Sequence, residues 1–261
     1  RFVRLLALRY AQSRTFRRAD GLIFLTRYAQ AALTQCIGAV RGSTAVIPHG
    51  IAPCFVREPR AQRDIAEYSF ENPFHVLYTS IINFYKNQPC VIDAVARLRQ
   101  SGLPVCLALV GPAYAPAMSR LNTALARIPN AEAFIRYHGA VPYSQLAQWY
   151  HRADMFVFAS NCENMPNILL EAMASGLPIA SSDRGPMPEV LGDAGVYFDP
   201  EDPAEIAAAM RSLIESPSLR KQKAQAAYDR AKAFSWRRCA DETFRFLSTV
   251  AVAARQKSRA D

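Results

Sequence analysis

The sequence predicts an α/β protein, a parallel β-sheet covered by helices on both faces. Three observations predict it. Short β-branched or aromatic runs alternate with stretches of helical periodicity, the pattern of strands joined through crossover helices. Val91, Val95 and Leu98, with Ile92, form one apolar stripe that ends at Gly102, so residues 89–100 read as a helix packed on a sheet. Asp202-Pro203 joins a good N-cap to a residue suited to a first helical turn.

Taken in order, strands are expected over residues 21–25, 44–47, 74–82, 105–110, 134–138, 155–159, 178–180 and 195–198. Helices are expected over 89–100, over 144–152 with Ser144 as its cap, over 203–214, and over about 218–234 and 237–255. Pro48, Gly50, Pro53 and Pro59 crowd together between two strand–helix blocks, which marks a break. The expected organisation is the end of one domain over 1–48, a linker over 49–63, a doubly wound domain over 64–235, and a last helix and tail over 236–261.

At 261 residues, half of them hydrophobic and a fifth charged, the chain can bury a sizeable core without disulfides or metals. Cys36, Cys54, Cys90, Cys106, Cys162 and Cys239 lie far apart, with no CxxC pair; they read as reduced thiols of a cytoplasmic protein. His49, His75, His138 and His151 lack metal-ligand spacing, and Asp199-Pro200-Glu201-Asp202-Pro203 reads as turn and cap chemistry, so no metal is expected. No apolar run approaches the ~20 residues of a membrane span. The net charge of +9 gathers at the ends, with Arg1, Arg4, Arg9, Arg14, Arg17 and Arg18 set against Asp20 alone in the first twenty residues. Such an end suits an anionic membrane surface or a solvated helix face, and nucleic acid is not expected, because the aromatic interleaving of a nucleic-acid groove is missing.

The chemistry concentrates in residues 160–178, Ser-Asn-Cys-Glu-Asn-Met-Pro-Asn-Ile-Leu-Leu-Glu-Ala-Met-Ala-Ser-Gly-Leu-Pro. This segment starts where a strand ends, the place where open α/β sheets bind ligands. A helix beginning near Pro166 offers N–H groups and a partial positive charge to a phosphate. Glu163 before that terminus and Glu171 inside it repel phosphate, so they suit sugar hydroxyls flanking a diphosphate.

Glu163-x7-Glu171 followed by Ala-Met-Ala-Ser-Gly-Leu-Pro resembles the signature of the retaining GT-B glycosyltransferases of family 4. The fold implied is the C-terminal, donor-binding half of a GT-B enzyme, a Rossmann-like parallel sheet, with a remnant of the N-terminal domain. On the family's pattern Glu163 contacts the donor sugar and Glu171 the ribose hydroxyls. The backbone around Asn164, Met165 and Pro166, with Asn167 beside it, approaches sugar and phosphate. Residues 44–51 resemble the hinge strand, and residues 78–87 resemble the first donor-domain strand and loop, ending in Lys86-Asn87. Residues 138–142, including Val141, resemble the loop that lies against the base.

Lys86 is the residue expected to neutralise charge building on the leaving diphosphate. The family often carries an arginine five or six residues earlier, where this chain has Ile81 and Ser80. Ser80 is counted with the donor-binding residues, and Arg184 is expected to add a cation from its own loop. The resemblance implies no cofactor. Its implied partners are a nucleotide-diphosphate sugar and a glycan or lipid-linked acceptor. The setting implied is polysaccharide assembly in the cytoplasm or peripherally at the inner face of the membrane.

The acceptor domain is expected to be reduced to residues 1–48, so the chain by itself is expected to be an inactive fragment of a transferase. The final helix, with Phe244, Leu247, Val250 and Ala251 on its apolar side, is expected to brace the missing domain and to be partly exposed without it. The rival readings are a non-catalytic nucleotide-sugar-binding module and a GT-B epimerase or phosphorylase. A nicotinamide dehydrogenase is disfavoured because no GxGxxG follows any strand.

Overall fold

The computed structural model describes residues 2–257, so Arg1 and the last four residues lie outside the description. The chain divides into two compact units, residues 1–50 with 234–261, and residues 51–233.

The first unit opens with α1 (Phe2–Arg18), β1 (Gly21–Phe24), α2 (Arg27–Ile37) and β2 (Ser43–Val46). β1 and β2 pair in parallel, Gly21 opposite Ser43 and Phe24 opposite Val46. Thr26 caps α2 by accepting from the Ala29 amide. At the other end of α2 the Arg17 guanidinium donates twice to the Ile37 carbonyl, an interaction that suits a helix C-terminus.

The second unit is built on β3 (Phe74–Thr79), α3 (Gln88–Gln100), β4 (Val105–Val110), α4 (Ala115–Ala126), β5 (Ile135–Tyr137), α5 (Tyr143–Arg152), β6 (Met155–Phe158), α6 (Asn167–Ala174), β7 (Ile179–Ser182), α7 (Met187–Leu191), β8 (Gly195–Phe198), α8 (Pro203–Glu215) and α9 (Pro217–Ala231). Its six strands are all parallel, in the order β5-β4-β3-β6-β7-β8. The four residues of β6 are fully buried, as in a sheet covered on both faces. From β3 the chain winds outward to β5, then crosses back to β6 and winds the other way. Right-handed crossovers therefore put α3 and α6 on opposite faces, where α3 packs against α4 and α8, and α6 against α7 and α9.

Each expected strand has its counterpart, and the differences are local. The strand expected to reach residue 82 stops at Thr79, because the chain turns into the short 3-10 helix Phe84–Lys86. Ser144 caps nothing: α5 begins at Tyr143 after Pro142, whose extended backbone sets the entry. Pro166 stands at the N-cap of α6 rather than in its first turn. Asp202 caps α8 as expected, accepting from the amides of Ala204 and Glu205.

The stretch expected to be a linker is anchored near its middle. Phe55 is fully buried, edge-on to Tyr143 and Tyr150. Farther on, the buried Arg220 of α9 donates to the carbonyls of Arg63, Leu213 and Ile214 and to the Gln62 amide oxygen. A guanidinium that meets this many acceptors can be buried without a carboxylate partner.

The chain returns to the first unit in α10 (Trp236–Lys257). Its Phe246 and Val250 lie against Gly21, where a Cβ would come within 2.6 Å of Val250. Phe244 and Leu247 are exposed, so the apolar side of α10 is only partly used within its own unit. Leu5, Leu6 and Leu8 of α1 are exposed as well.

Candidate donor-binding crevice

The winding direction reverses between β3 and β6, so the loops leaving these two adjacent strands diverge and open a crevice beyond their carboxyl ends. The loop after β3 carries Lys86 and the loop after β6 carries Glu163. The two side chains meet there: Lys86 Nζ donates to Glu163 Oε1. Lys86 is only 4% exposed and also lies over the rings of Tyr85 and Phe158, at 5.1 and 5.2 Å. An ammonium held this deep needs a counter-charge, and leaving either partner alone would cost about 3–5 kcal/mol.

The two loops are joined around that pair. Asn87, in the left-handed region at φ 50°, donates to the Ala159 carbonyl and to Asn161 Oδ1. The Asn161 amide donates to the Tyr85 carbonyl at 2.8 Å. From beneath, the buried Tyr78 hydroxyl donates to the Lys86 carbonyl. Gly111, after β4, sits at φ 141°, and a Cβ there would fall 2.2 Å from the Ser80 carbonyl. The β3 and β4 loops approach this closely only because the residue is glycine.

Glu171 lies in α6, one turn in. The fully buried Tyr150 donates to Glu171 Oε2 at 2.8 Å, and the Tyr150 oxygen is 2.5 Å from Thr79 Oγ1 at the end of β3. Burial pushes the Glu171 carboxyl up to about 7, and the Tyr150 hydrogen bond pulls it back only in part. A largely buried carboxyl raised in this way still has its second oxygen to accept from hydroxyls.

The remaining expected residues are distributed as follows. Asn164 and Asn167 are exposed at the mouth of the crevice, while Met165 and Pro166 are buried beneath it. Ser80 is buried, donating to the Ile81 carbonyl and accepting from Gln88. Val141 is half-buried in the loop after β5. Arg184, after β7, pairs with Asp183 and Asp199. The structure thus brings Lys86, Glu163 and the α6 entrance together and ties Arg184 to the β8 side. Among the described residues no group of His, Cys, Asp and Glu is arranged to hold a metal ion, and no helix is long and apolar enough to cross a membrane.

Sequence reasoning gave Asn87 only as the end of the Lys86-Asn87 pair and assigned no role to Thr79, Tyr150 or Asn161. Only Asn87 left a signal, an Asn directly before Gln88-Pro89, where a helix starts and a left-handed residue fits.

The profile of the family described as glycosyl transferases group 1 matches residues 73–216, more than half of the chain. Glycogen synthase of Mycobacterium tuberculosis is 28% identical over 250 residues, covering 93% of this chain and 56% of that protein. O-antigen chain mannosyltransferase B of Escherichia coli is 38% identical over 112 residues, 43% of this chain and 29% of that protein. Among solved structures, sucrose-phosphate synthase from Thermosynechococcus elongatus superposes with a TM-score of 0.80 at 20% identity, covering 94% of this chain and 62% of that one. HepE of Anabaena, solved with UDP and glucose, gives 0.79 at 24% identity, covering 93% and 66%. The chain thus spans between about half and two thirds of the length of the proteins it matches most fully.

Proposed function

This chain belongs to the family of glycosyl transferases group 1, and we propose that it supplies the donor half of a retaining glycosyltransferase that moves a sugar from a nucleoside diphosphate to a glycan or lipid-linked acceptor. The observation that carries this reading is the Lys86–Glu163 pair in the β3/β6 crevice with Glu171 in the helix behind it. The structural neighbour HepE, solved with UDP and glucose, supports a nucleotide-sugar ligand.

In this reading the pair exchanges partners when the donor enters. The diphosphate takes the Lys86 ammonium, and Glu163, released from it, accepts from hydroxyls of the transferred sugar. As the bond from the sugar's anomeric carbon to the phosphate oxygen breaks, its electrons pass to that oxygen, while the acceptor hydroxyl oxygen bonds to the anomeric carbon and gives its proton to the leaving phosphate. Lys86 stabilises the charge building there. Glu171 accepts from the ribose hydroxyls with the oxygen that Tyr150 leaves open. Asn164, Met165, Pro166 and Asn167 shape the sugar and phosphate end, and Val141 borders the base. Arg184 serves the diphosphate only by leaving Asp199, so its part is secondary. The acceptor site and the rest of the chemistry belong to a partner domain, and any contact with an anionic membrane is peripheral and made through the basic ends.

Calorimetric titration with UDP, GDP and ADP and their glucose or mannose conjugates tests the proposal. Selective binding of one nucleotide, weakened by Glu171→Ala and by Lys86→Ala in folded protein, supports it. Binding that is indifferent to both substitutions overturns it.

A further inference from the structure

The sheet face that carries α5 is hollow over β4 and β5. The return from β5 to β6 passes over β4 and β3 with one ten-residue helix, whereas the opposite face of the same strands holds α3 and α4. Strand alternation brings His75, Cys106, Ala108 and Arg136 onto the hollow face, with His75 opposite Cys106 and Ala108 opposite Arg136. β4 thus contributes two small side chains where a packed sheet would carry larger ones. The result is a half-open cavity of about 760 Å3, walled by Trp149 and Phe134. That volume is in the range of small-ligand sites.

The charge around this cavity is unbalanced. Arg60, Arg136 and Arg152 line it, with Glu71 as the acid among the lining residues. Arg60 is committed to the Ala153 carbonyl and to Asp154. The Arg136 and Arg152 guanidinium groups make no hydrogen bond or ion pair among the described residues. Their neighbours register the excess: His138, tilted against Trp149 at 4.4 Å, is pushed below the usual histidine range first by burial and then by the Arg136 charge. His151 also lines the cavity, and its Nε2 is buried without a partner.

Two unpaired guanidinium groups beside flat aromatic walls match one chemistry. Guanidinium forks phosphate in two-point contacts, and an aromatic ring lies favourably on tryptophan. We propose that this hollow is a second ligand site, for a small phosphorylated compound with a flat ring, a nucleoside monophosphate being its simplest form. Arg136 and Arg152 hold the phosphate, and Trp149 and Phe134 receive the ring. The hollow shares α5 with the crevice, through Tyr150 on Glu171, and His138 of the loop after β5 lines it, but Lys86, Glu163 and Glu171 are not among its lining residues, so its ligand is tested separately from the donor.

Trp149 supplies the readout, since the chain contains two tryptophans and Trp236→Phe leaves Trp149 alone. Fluorescence of that variant is titrated with AMP, UMP, GMP and CMP, with the parent nucleosides and with inorganic phosphate, each also in Glu171→Ala protein. The expected result is saturable quenching by at least one monophosphate, at least tenfold weaker for its nucleoside. Inorganic phosphate should compete, Arg136→Ala and Arg152→Ala should each weaken binding about tenfold, and Glu171→Ala should leave it unchanged. No saturable quenching up to millimolar nucleotide in protein folded by circular dichroism overturns the proposal. So does quenching that survives both arginine substitutions, or that vanishes with Glu171→Ala, which would assign the signal to the crevice.

Discussion

The Tyr150 hydroxyl donates a hydrogen bond to Glu171 Oε2 across 2.8 Å, and the Tyr150 oxygen lies 2.5 Å from Thr79 Oγ1. Three elements, α5, α6 and the end of β3, are thereby tied at the floor of the crevice. One oxygen of Glu171 is spent on the fold and the other remains for a ligand.

The first prediction follows from the Glu171 carboxyl, which burial raises from 4.5 to about 7. The folded protein retains a proton that the unfolded chain releases between these values. The stability contribution is therefore complete below about pH 4.5 and is lost as pH rises to about 7. It is worth at most about 3 kcal/mol, because the group is partly solvated. Urea unfolding at a series of pH values should show that slope in the wild type, and Glu171→Gln should remove most of it. An unchanged slope in the variant would assign the pH dependence to another group.

Nucleotide-sugar affinity should run the opposite way. An ionised Glu171 is the better acceptor for ribose hydroxyls, so binding should tighten from pH 6 to pH 8. A sugar conjugate is the right probe because its diphosphate does not titrate in that range. Tyr150→Phe removes the hydrogen bond that lowers the carboxyl, so the midpoint should shift upward. The variant should also lose about 1–3 kcal/mol of stability, because Thr79 is left without its phenol partner. A midpoint that stays in place while stability falls would make Tyr150 structural only.

The buried pair gives a sharper test. Lys86→Met leaves Glu163 without its cation, and Glu163→Gln leaves Lys86 without its anion, so each alone should destabilise by about 3–5 kcal/mol. The double variant should recover much of that loss, because neither charge is then left buried and unpaired. For binding, Lys86→Met should weaken a nucleoside diphosphate about 10- to 100-fold, matching the loss of one charge-assisted hydrogen bond. Its effect on the free nucleoside should be small. Equal losses for nucleoside and diphosphate would remove Lys86 from the phosphate.

Much of this was legible in the sequence because strands, caps and the acidic string are local signals. Asp202-Pro203 states its own cap, and Met155–Phe158 reads as a buried strand from four residues. The partnerships were not legible. Glu163 and Lys86 stand 77 residues apart, and their meeting depends on β3 and β6 being neighbours, which is a property of the crossover and not of either loop. Tyr150 reads as one more apolar residue in a short helix, since its hydroxyl finds Glu171 and Thr79 only after three elements have packed. Ser144 misled for a local reason, because Pro142 had already set the helix entry. Where a small side chain such as Ala108 leaves space depends on what fails to cover it, and no strand pattern carries that information.

Gly50 yields the last prediction, which concerns the first unit alone. A Cβ on Gly50 would lie 1.9 Å from the Trp236 amide nitrogen and 2.4 Å from the Ser235 carbonyl carbon, so backbone blocks it and no side-chain rotation relieves the overlap. Trp236 is also stacked at a tilt on His49, with ring centroids 5.3 Å apart. Gly50→Ala must therefore push the start of α10 away from residues 49–50, at a cost of about 1–3 kcal/mol, the range for overpacking a tight contact. Hydrogen exchange should show faster amide exchange in the first turns of α10 and in β1, which α10 covers, while the β3–β8 sheet keeps its protection. Unchanged exchange across α10 would mean that this contact is not formed in solution.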